Sequence, residues 1–260
     1  MSVPQEPSGL LIVGHGTRDP AGIAEFHQTV ELISRRLANV VVEGGFLELA
    51  EPTIAAALDR AVQRGAQRLA AAPLVLFAAG HAKQDIPAAL AAAANTHELP
   101  VPRLLPHLGC HPAMIRLSLK RYEEAIERLP TAADSETLLL MVGRGSTDAE
   151  ANSELARFAR LRWEARPVGW HETCFAALAQ PSLERAMAMA ARLPFRRVVV
   201  QPHLLFQGEL LRGIRHTVET HARRWPAIEW AVTEHLGPDE LLAEAVAEGS
   251  GFGVQGSAYA

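Results

Sequence analysis

The stretch GLLIVGHGTRD at residues 9–19 recurs as LLLMVGRGSTD at residues 138–148. Leu10 aligns with Leu139, so the second copy lies 129 residues (139 minus 10) further along the chain. Three more blocks repeat in the same order, the last of them one residue closer: AEPTIAAAL at 50–58 with AQPSLERAM at 179–187, PLVLF at 73–77 with PHLLF at 202–206, and HLG at 107–109 with HLG at 235–237. The shared order and register indicate a duplicated domain rather than a chance likeness between alanine-rich helices.

Each half alternates short apolar runs with stretches of helical composition. Such alternation is typical of parallel sheets whose crossover connections are helices. We therefore predict an α/β protein of two small, doubly wound parallel-sheet domains, residues 1–132 and 133–260, that face a central cleft. The predicted strands are residues 10–13, 40–47, 69–77, 101–105, 137–142, 168–173, 197–206 and 228–233, and the predicted helices of the first half are residues 20–37, 52–64, 84–94 and 111–128.

The composition excludes several classes of protein. The chain has 25 Lys and Arg residues against 29 Asp and Glu, a formal net charge of −4, so no overall positive field attracts nucleic acid or anionic lipid. Two cysteines, Cys110 and Cys174, support neither a disulfide framework nor a cysteine-ligated metal. The apolar stretch 69–80 is too short to span a bilayer, and residues 1–9 lack the features of a secretory signal. We expect a cytoplasmic protein without nucleic-acid or membrane partners, either a monomer or a homodimer.

Three side chains with metal-binding chemistry follow three successive strands of the first half. His15 stands between two glycines after the first strand, Glu48 ends the second strand, and His81 follows the third. Since the carboxyl ends of parallel strands share one edge of a sheet, we expect these side chains to converge. Two imidazoles and a carboxylate suit Fe²⁺, Co²⁺, Ni²⁺ or Zn²⁺ with coordination positions left open. The ordinary alternatives are a capping histidine in a turn and a solvated carboxylate.

The second repeat lacks this set of side chains. The matching residues are Arg144 for His15, Ala177 for Glu48 and Glu209 for His81. A merely structural cap gives no reason to exchange imidazole for guanidinium in a turn that is otherwise retained. We expect the first repeat to hold the metal and the second to contribute a wall, with the forked guanidinium of Arg144 available to a carboxylate of the ligand. The alternative for Arg144 is a surface arginine in a loop.

The motifs GHGTRD, FLELAEPTI and PLVLFAAGHAKQDIP, in this order and spacing, resemble those of the class II tetrapyrrole chelatases, specifically the sirohydrochlorin metal chelatases. The resemblance covers nearly the whole chain, including the duplicated build of the longer members. It implies ATP-independent insertion of Fe²⁺ into sirohydrochlorin to give sirohaem, or of Co²⁺ to give a cobalamin precursor. His15 and His81 match the catalytic histidines of the family, and Glu48 matches their acidic partner.

The resemblance also implies what the protein binds. The divalent metal is a substrate, and no cofactor is permanently bound. Some long cobalt-inserting members carry a histidine-rich stretch and a cysteine-containing tail, and their absence here favours iron. Sirohydrochlorin bears several carboxylates, so a chain of negative net charge needs local cations around it. We expect Arg18, Lys83 and Arg144 to meet these carboxylates and Phe77 to contact the macrocycle.

Two other functions remain open from the residues alone. A two-lobed carrier of metal or tetrapyrrole would use the same side chains without turnover. A phosphohistidine enzyme also places a histidine beside glycine between a strand and a helix. Those enzymes usually have arginine directly before the histidine, whereas Gly14 precedes His15 here.

Overall fold

In the computed structural model of the protein, residues 9–77, 80–130 and 132–252 are described, the side chains of residues 80–83 excepted. Each half of the sequence runs through four strand–helix units. The first half contains β1 (Gly9–Gly14), α1 (Pro20–Arg36), β2 (Val41–Phe46), α2 (Ile54–Gln63), β3 (Leu69–Pro73), α3 (Gly80–Thr96), β4 (Arg103–Leu104) and α4 (Pro112–Ile126). The second contains β5 (Thr137–Gly143), α5 (Ala149–Ala165), β6 (Trp170–Phe175), α6 (Leu183–Ala190), β7 (Arg197–Pro202), α7 (Glu209–Ala222), β8 (Glu229–Val232) and α8 (Glu240–Ser250).

The strands form two four-stranded parallel sheets, in the orders β2-β1-β3-β4 and β6-β5-β7-β8. In the first sheet Leu10 of β1 pairs with Val42 of β2 on one side and with Ala70 of β3 on the other. Every residue of β1 and of its counterpart β5 is buried, as expected for central strands covered by helices on both faces. The predicted α/β class with two parallel sheets is therefore confirmed.

Short polar side chains cap the first turns of several helices. Asp19 accepts a hydrogen bond from the backbone N–H of Ala21 at the start of α1. At α2, Thr53 accepts one from Ala56, so the helix starts at Ile54. The prediction of a helix from residue 52 was wrong by two residues, because the backbone of the capping residue Thr53 is extended rather than helical.

Three other predicted boundaries differ from the structure by four residues each. Strands β3 and β7 end at Pro73 and Pro202, earlier than the predicted ends at residues 77 and 206. Proline has no N–H to donate to the next rung of a sheet, so an apolar run alone overstates the strand. Helix α3 begins at Gly80 rather than at residue 84.

The compact units of the structure do not coincide with the sequence repeats, 1–132 and 133–260. One unit contains the described residues up to Leu108 together with those from Pro238 onward, and the other runs from Gly109 to Gly237. Helix α8 therefore packs in the first unit, against α1 and β3, where Arg36 and Glu244 form an ion pair of 3.2 Å. Each unit carries the last helix of the other repeat.

Helix α4 belongs to the second unit and is fixed there by polar contacts. Gln201 of β7 donates a hydrogen bond of 2.6 Å to the carbonyl of Ser118. The guanidinium of Arg162 on α5 lies 4.7 Å from the ring centre of Tyr122, and both side chains are buried. The face of an aromatic ring attracts the positive charge of a buried guanidinium, and this attraction partly offsets the loss of water around the charge. None of the helices in the described part of the chain is long and apolar enough to cross a membrane.

His203, just beyond β7, makes stability depend on pH. The residue is 2% exposed, and its ring centre lies 4.1 Å from the ring centre of Phe158. Burial lowers the pKa of His203 to about 3, against about 6.5 in an unfolded chain. The unfolded state therefore takes up the proton first, and stability is lost as pH falls from 6.5 towards 3.

Because of His203, we expect the free energy of unfolding to fall by about 2 kcal/mol when the pH is lowered from 7 to 5. Urea unfolding of the wild type and of His203→Gln at both values measures this effect. The variant, which has no imidazole at this position, should lose less stability than the wild type over that interval, whatever its stability at pH 7. Equal losses would contradict the buried, neutral state of His203.

Candidate metal centre

The ends of β1 and β2 bring His15 and Glu48 side by side. Gly14 pairs with Phe46 at the last rung of the two parallel strands. Two further backbone hydrogen bonds extend the pairing, from Leu47 N–H to the Gly14 carbonyl (2.9 Å) and from Glu48 N–H to the His15 carbonyl (3.0 Å). The backbone ladder thus continues past the strands and holds His15 and Glu48 in register.

Their side chains approach closely while remaining open to solvent. Nε2 of His15 lies 3.4 Å from Oε1 of Glu48, and the two side chains are 46% and 54% exposed. Two atoms that each bind one metal ion at about 2.1 Å are about 3.0 Å apart at an octahedral angle and about 3.4 Å apart at a tetrahedral angle. The observed separation therefore suits neighbouring ligands of a single ion, with the exposed side left for other ligands.

Gly16 makes this approach possible. It has a φ of 106°, in the left-handed region, and a Cβ atom at this position would lie 1.7 Å from the carbonyl oxygen of Glu48. A side chain cannot occupy that space unless the backbone after β1 or β2 moves. The glycine after the histidine is therefore required by the contact between the two loops.

His81 comes from the strand on the other side of β1. It is the second residue of α3, which follows β3, so it lies in the first turn of a helix rather than in the loop that we predicted before residue 84. Its side chain lies outside the described residues. Among the side chains that are described, no group of three His, Cys, Asp or Glu residues could hold a metal ion.

The second repeat keeps the backbone of this site and changes its side chains. Gly145 has a φ of 89°, and a Cβ there would lie 2.0 Å from the carbonyl oxygen of Ala177. Ala177 N–H donates to the Arg144 carbonyl at 2.9 Å, as Glu48 does to His15. Arg144 is exposed, and Glu209, the counterpart of His81, opens α7. The same turn therefore carries no pair of metal-ligating side chains in the second unit.

The remaining predicted site residues are spread around the first-sheet edge. Arg18 is exposed in the loop between His15 and α1. Phe77 is half-buried shortly after β3, and Lys83 belongs to α3 with a side chain outside the described residues. The sequence reasoning assigned no role to Leu49, an exposed leucine directly after Glu48. The sequence feature that could have indicated a role is the leucine at the matching position of the second repeat, Leu178.

Comparison with known proteins relates both repeats to one family. The CbiX family model matches residues 9–125 and again residues 138–250. A sirohydrochlorin cobaltochelatase of Priestia megaterium is 30% identical over 256 residues, which cover 95% of this chain and 80% of the relative. A sirohydrochlorin ferrochelatase of the same organism is 29% identical over 236 residues, which cover 90% of this chain and 86% of the relative.

Solved structures agree with the fold. SirB from Bacillus subtilis with Fe³⁺ superposes with a TM-score of 0.80 at 26% identity, covering 93% of each chain. The sirohydrochlorin chelatase SirB from Bacillus subtilis subspecies spizizenii in complex with cobalt gives a TM-score of 0.75 at 25% identity, again covering 93% of each chain. The first of these two structures holds Fe³⁺ and the second holds cobalt.

Proposed function

The chain belongs to the CbiX family, and on that premise we propose that it inserts a divalent metal ion into sirohydrochlorin without ATP, as a chelatase of the lyase class. The observation that carries the proposal is the open pair of His15 and Glu48, 3.4 Å apart at the carboxyl edge of the first sheet. The cobalt- and iron-inserting relatives are 30% and 29% identical, so likeness alone favours neither ion. Fe²⁺ and Co²⁺ are both proposed substrates.

Metal insertion requires the ion to exchange water for protein ligands and then protein ligands for ring nitrogens. An imidazole nitrogen and a carboxylate oxygen at adjacent positions of one ion suit the first exchange, because both bind Fe²⁺ and Co²⁺. We propose His81 as the third ligand, supplied by the element after β3 on the other side of β1. The exposed side of the pair leaves the remaining positions for the incoming macrocycle.

The second exchange runs downhill without nucleotide. Four ring nitrogens in one plane hold a divalent ion more tightly than two or three protein side chains do, so the ion moves to the substrate. Two pyrrole protons must leave the ring as the dication enters, which keeps the total charge balanced. The imidazole and the carboxylate, freed as the ion departs, provide two positions for those protons.

The proposal is tested by following the visible spectrum of sirohydrochlorin with catalytic amounts of protein and either Fe²⁺ or Co²⁺, under anaerobic conditions. We expect many molecules of metallated product per molecule of protein, at a rate well above that without protein. Spectral change that stops at one equivalent would identify a carrier and contradict the enzyme. Competition between the two ions in the same assay measures the metal preference.

Arg144 is proposed to bind a carboxylate of the substrate. A charge-assisted hydrogen bond from an exposed arginine is worth about 1 kcal/mol, so Arg144→Ala should raise KM about 3- to 10-fold and change kcat little. Arg35→Ala is the matched control, because it removes one exposed charge from α1, where Arg35 forms an ion pair of 2.6 Å with Glu31. An unchanged KM in Arg144→Ala would remove Arg144 from the substrate site.

A further inference from the structure

Leu49 occupies a backbone conformation that leucine rarely adopts. Its φ is 64°, and the N–H of Ala50 donates a 2.8 Å hydrogen bond to the carbonyl of Glu48, so Leu49 is the central residue of a γ-turn. A γ-turn with positive φ at its centre is rare and strained. Among the described residues, three that are not glycine have a positive φ: Leu49, Glu98 and Leu178.

Burial of the Leu49 side chain offsets little of this backbone strain. It is 51% exposed, so about half of its surface still faces water. Asparagine, which tolerates left-handed geometry, would relieve the backbone and would not expose apolar surface. A strained residue with an exposed apolar side chain, beside a candidate active site, indicates a contact with something outside the chain.

The second repeat shows that this turn is a property of the fold and not an accident of one loop. Leu178 has a φ of 55° and is 67% exposed, and Ala179 N–H donates to the Ala177 carbonyl at 2.6 Å. The two turns differ in what precedes the leucine. Only Leu49 follows directly on a carboxylate that pairs with a histidine, so the chain contains a matched control for Leu49.

We propose that Leu49 contacts the apolar face of the tetrapyrrole macrocycle while the metal passes from the His15–Glu48 pair into the ring; this rests on the proposed function. Leu49 and Glu48 are adjacent residues, with Cα atoms about 3.8 Å apart. The hydrogen-bonded turn fixes the leucine backbone beside the metal ligands, so little backbone freedom remains to be lost on binding. A flat conjugated ring offers the apolar surface that an isobutyl group covers.

The test compares Leu49→Asn, Leu49→Met and Leu178→Asn. Burying half of a leucine side chain gives an expected 3- to 10-fold loss of affinity for metal-free sirohydrochlorin in Leu49→Asn, with a matching rise in KM. Leu49→Met keeps apolar surface and should stay within about twofold of the wild type. Leu178→Asn makes the same change in the turn that lacks the metal pair and should raise KM less than Leu49→Asn does.

Two further readouts separate this contact from other roles. A structural role would lower the melting temperature of Leu49→Asn, whereas relief of the strained turn should maintain or raise it. An effect through Glu48 would weaken binding of Co²⁺ alone, followed by its visible absorption, whereas a macrocycle contact leaves it unchanged.

The possible outcomes are distinct. Wild-type affinity in Leu49→Asn, equal losses at Leu49 and Leu178, a lower melting temperature or weaker Co²⁺ binding would each overturn the contact. A wild-type protein that does not metallate sirohydrochlorin would instead overturn the proposed function.

Discussion

His15→Ala should lower the rate of metal insertion by about two orders of magnitude or more. The substitution removes the imidazole whose Nε2 lies 3.4 Å from Oε1 of Glu48, and with it a proposed ligand for the incoming ion and a proposed position for a departing proton. The side chain is 46% exposed and lies beyond the end of β1, so the fold should be unaffected. Affinity for metal-free sirohydrochlorin should change little. Initial rates with Co²⁺ or Fe²⁺, together with a binding titration, measure the two effects separately.

The second repeat provides the control for this experiment. Arg144→Ala alters the matching residue of a turn with the same backbone and is expected to change KM rather than kcat. His81→Ala tests the proposed third ligand and should also remove most activity, with the fold and tetrapyrrole affinity largely intact. A rate near that of the wild type in His15→Ala or His81→Ala would refute the role proposed for that residue.

Gly16→Ala should destabilise the first unit and abolish metal insertion. The new methyl group would lie 1.7 Å from the carbonyl oxygen of Glu48, at a φ of 106° that alanine rarely adopts. The obstacle is backbone rather than a flexible side chain, so the loops after β1 and β2 must separate. We expect a loss of about 2–4 kcal/mol in unfolding free energy. Separation also pulls His15 away from Glu48, so the folded fraction should be as inactive as His15→Ala.

Gly145→Ala separates the loss of stability from the loss of chemistry. A Cβ there would lie 2.0 Å from the carbonyl oxygen of Ala177, so the cost in stability should be similar. Arg144 and Ala177 replace the metal pair in that turn, so kcat per folded molecule should remain near that of the wild type, whereas KM rises as far as Arg144 is displaced. Urea unfolding and rates normalised to folded protein provide the comparison. Equal loss of activity in both variants would show that it follows from general destabilisation.

The helix boundaries and the local turns show what sequence reasoning overlooked. The apolar run after Leu69 read as one strand to residue 77, although Pro73 ends β3. Helix α3 starts four residues earlier than its composition indicated, which puts His81 inside a helix. The positive φ and the exposure of Leu49 could not be predicted, because an isolated leucine in a sequence carries no information about either. These are properties of the folded backbone, which local composition reflects only weakly.

The sequence by itself determined the duplication, the parallel α/β class, and the proximity of His15 and Glu48. The strand pattern and the register of the two repeats can be read directly from the sequence. Residues that end neighbouring parallel strands have to meet at one edge of the sheet. Only the tertiary structure decided which sheet each final helix covers, with α8 in the first unit and α4 in the second. An amphipathic helix has an apolar face that suits either of two similar sheets, so its partner is chosen by packing and chain connection rather than by its own sequence.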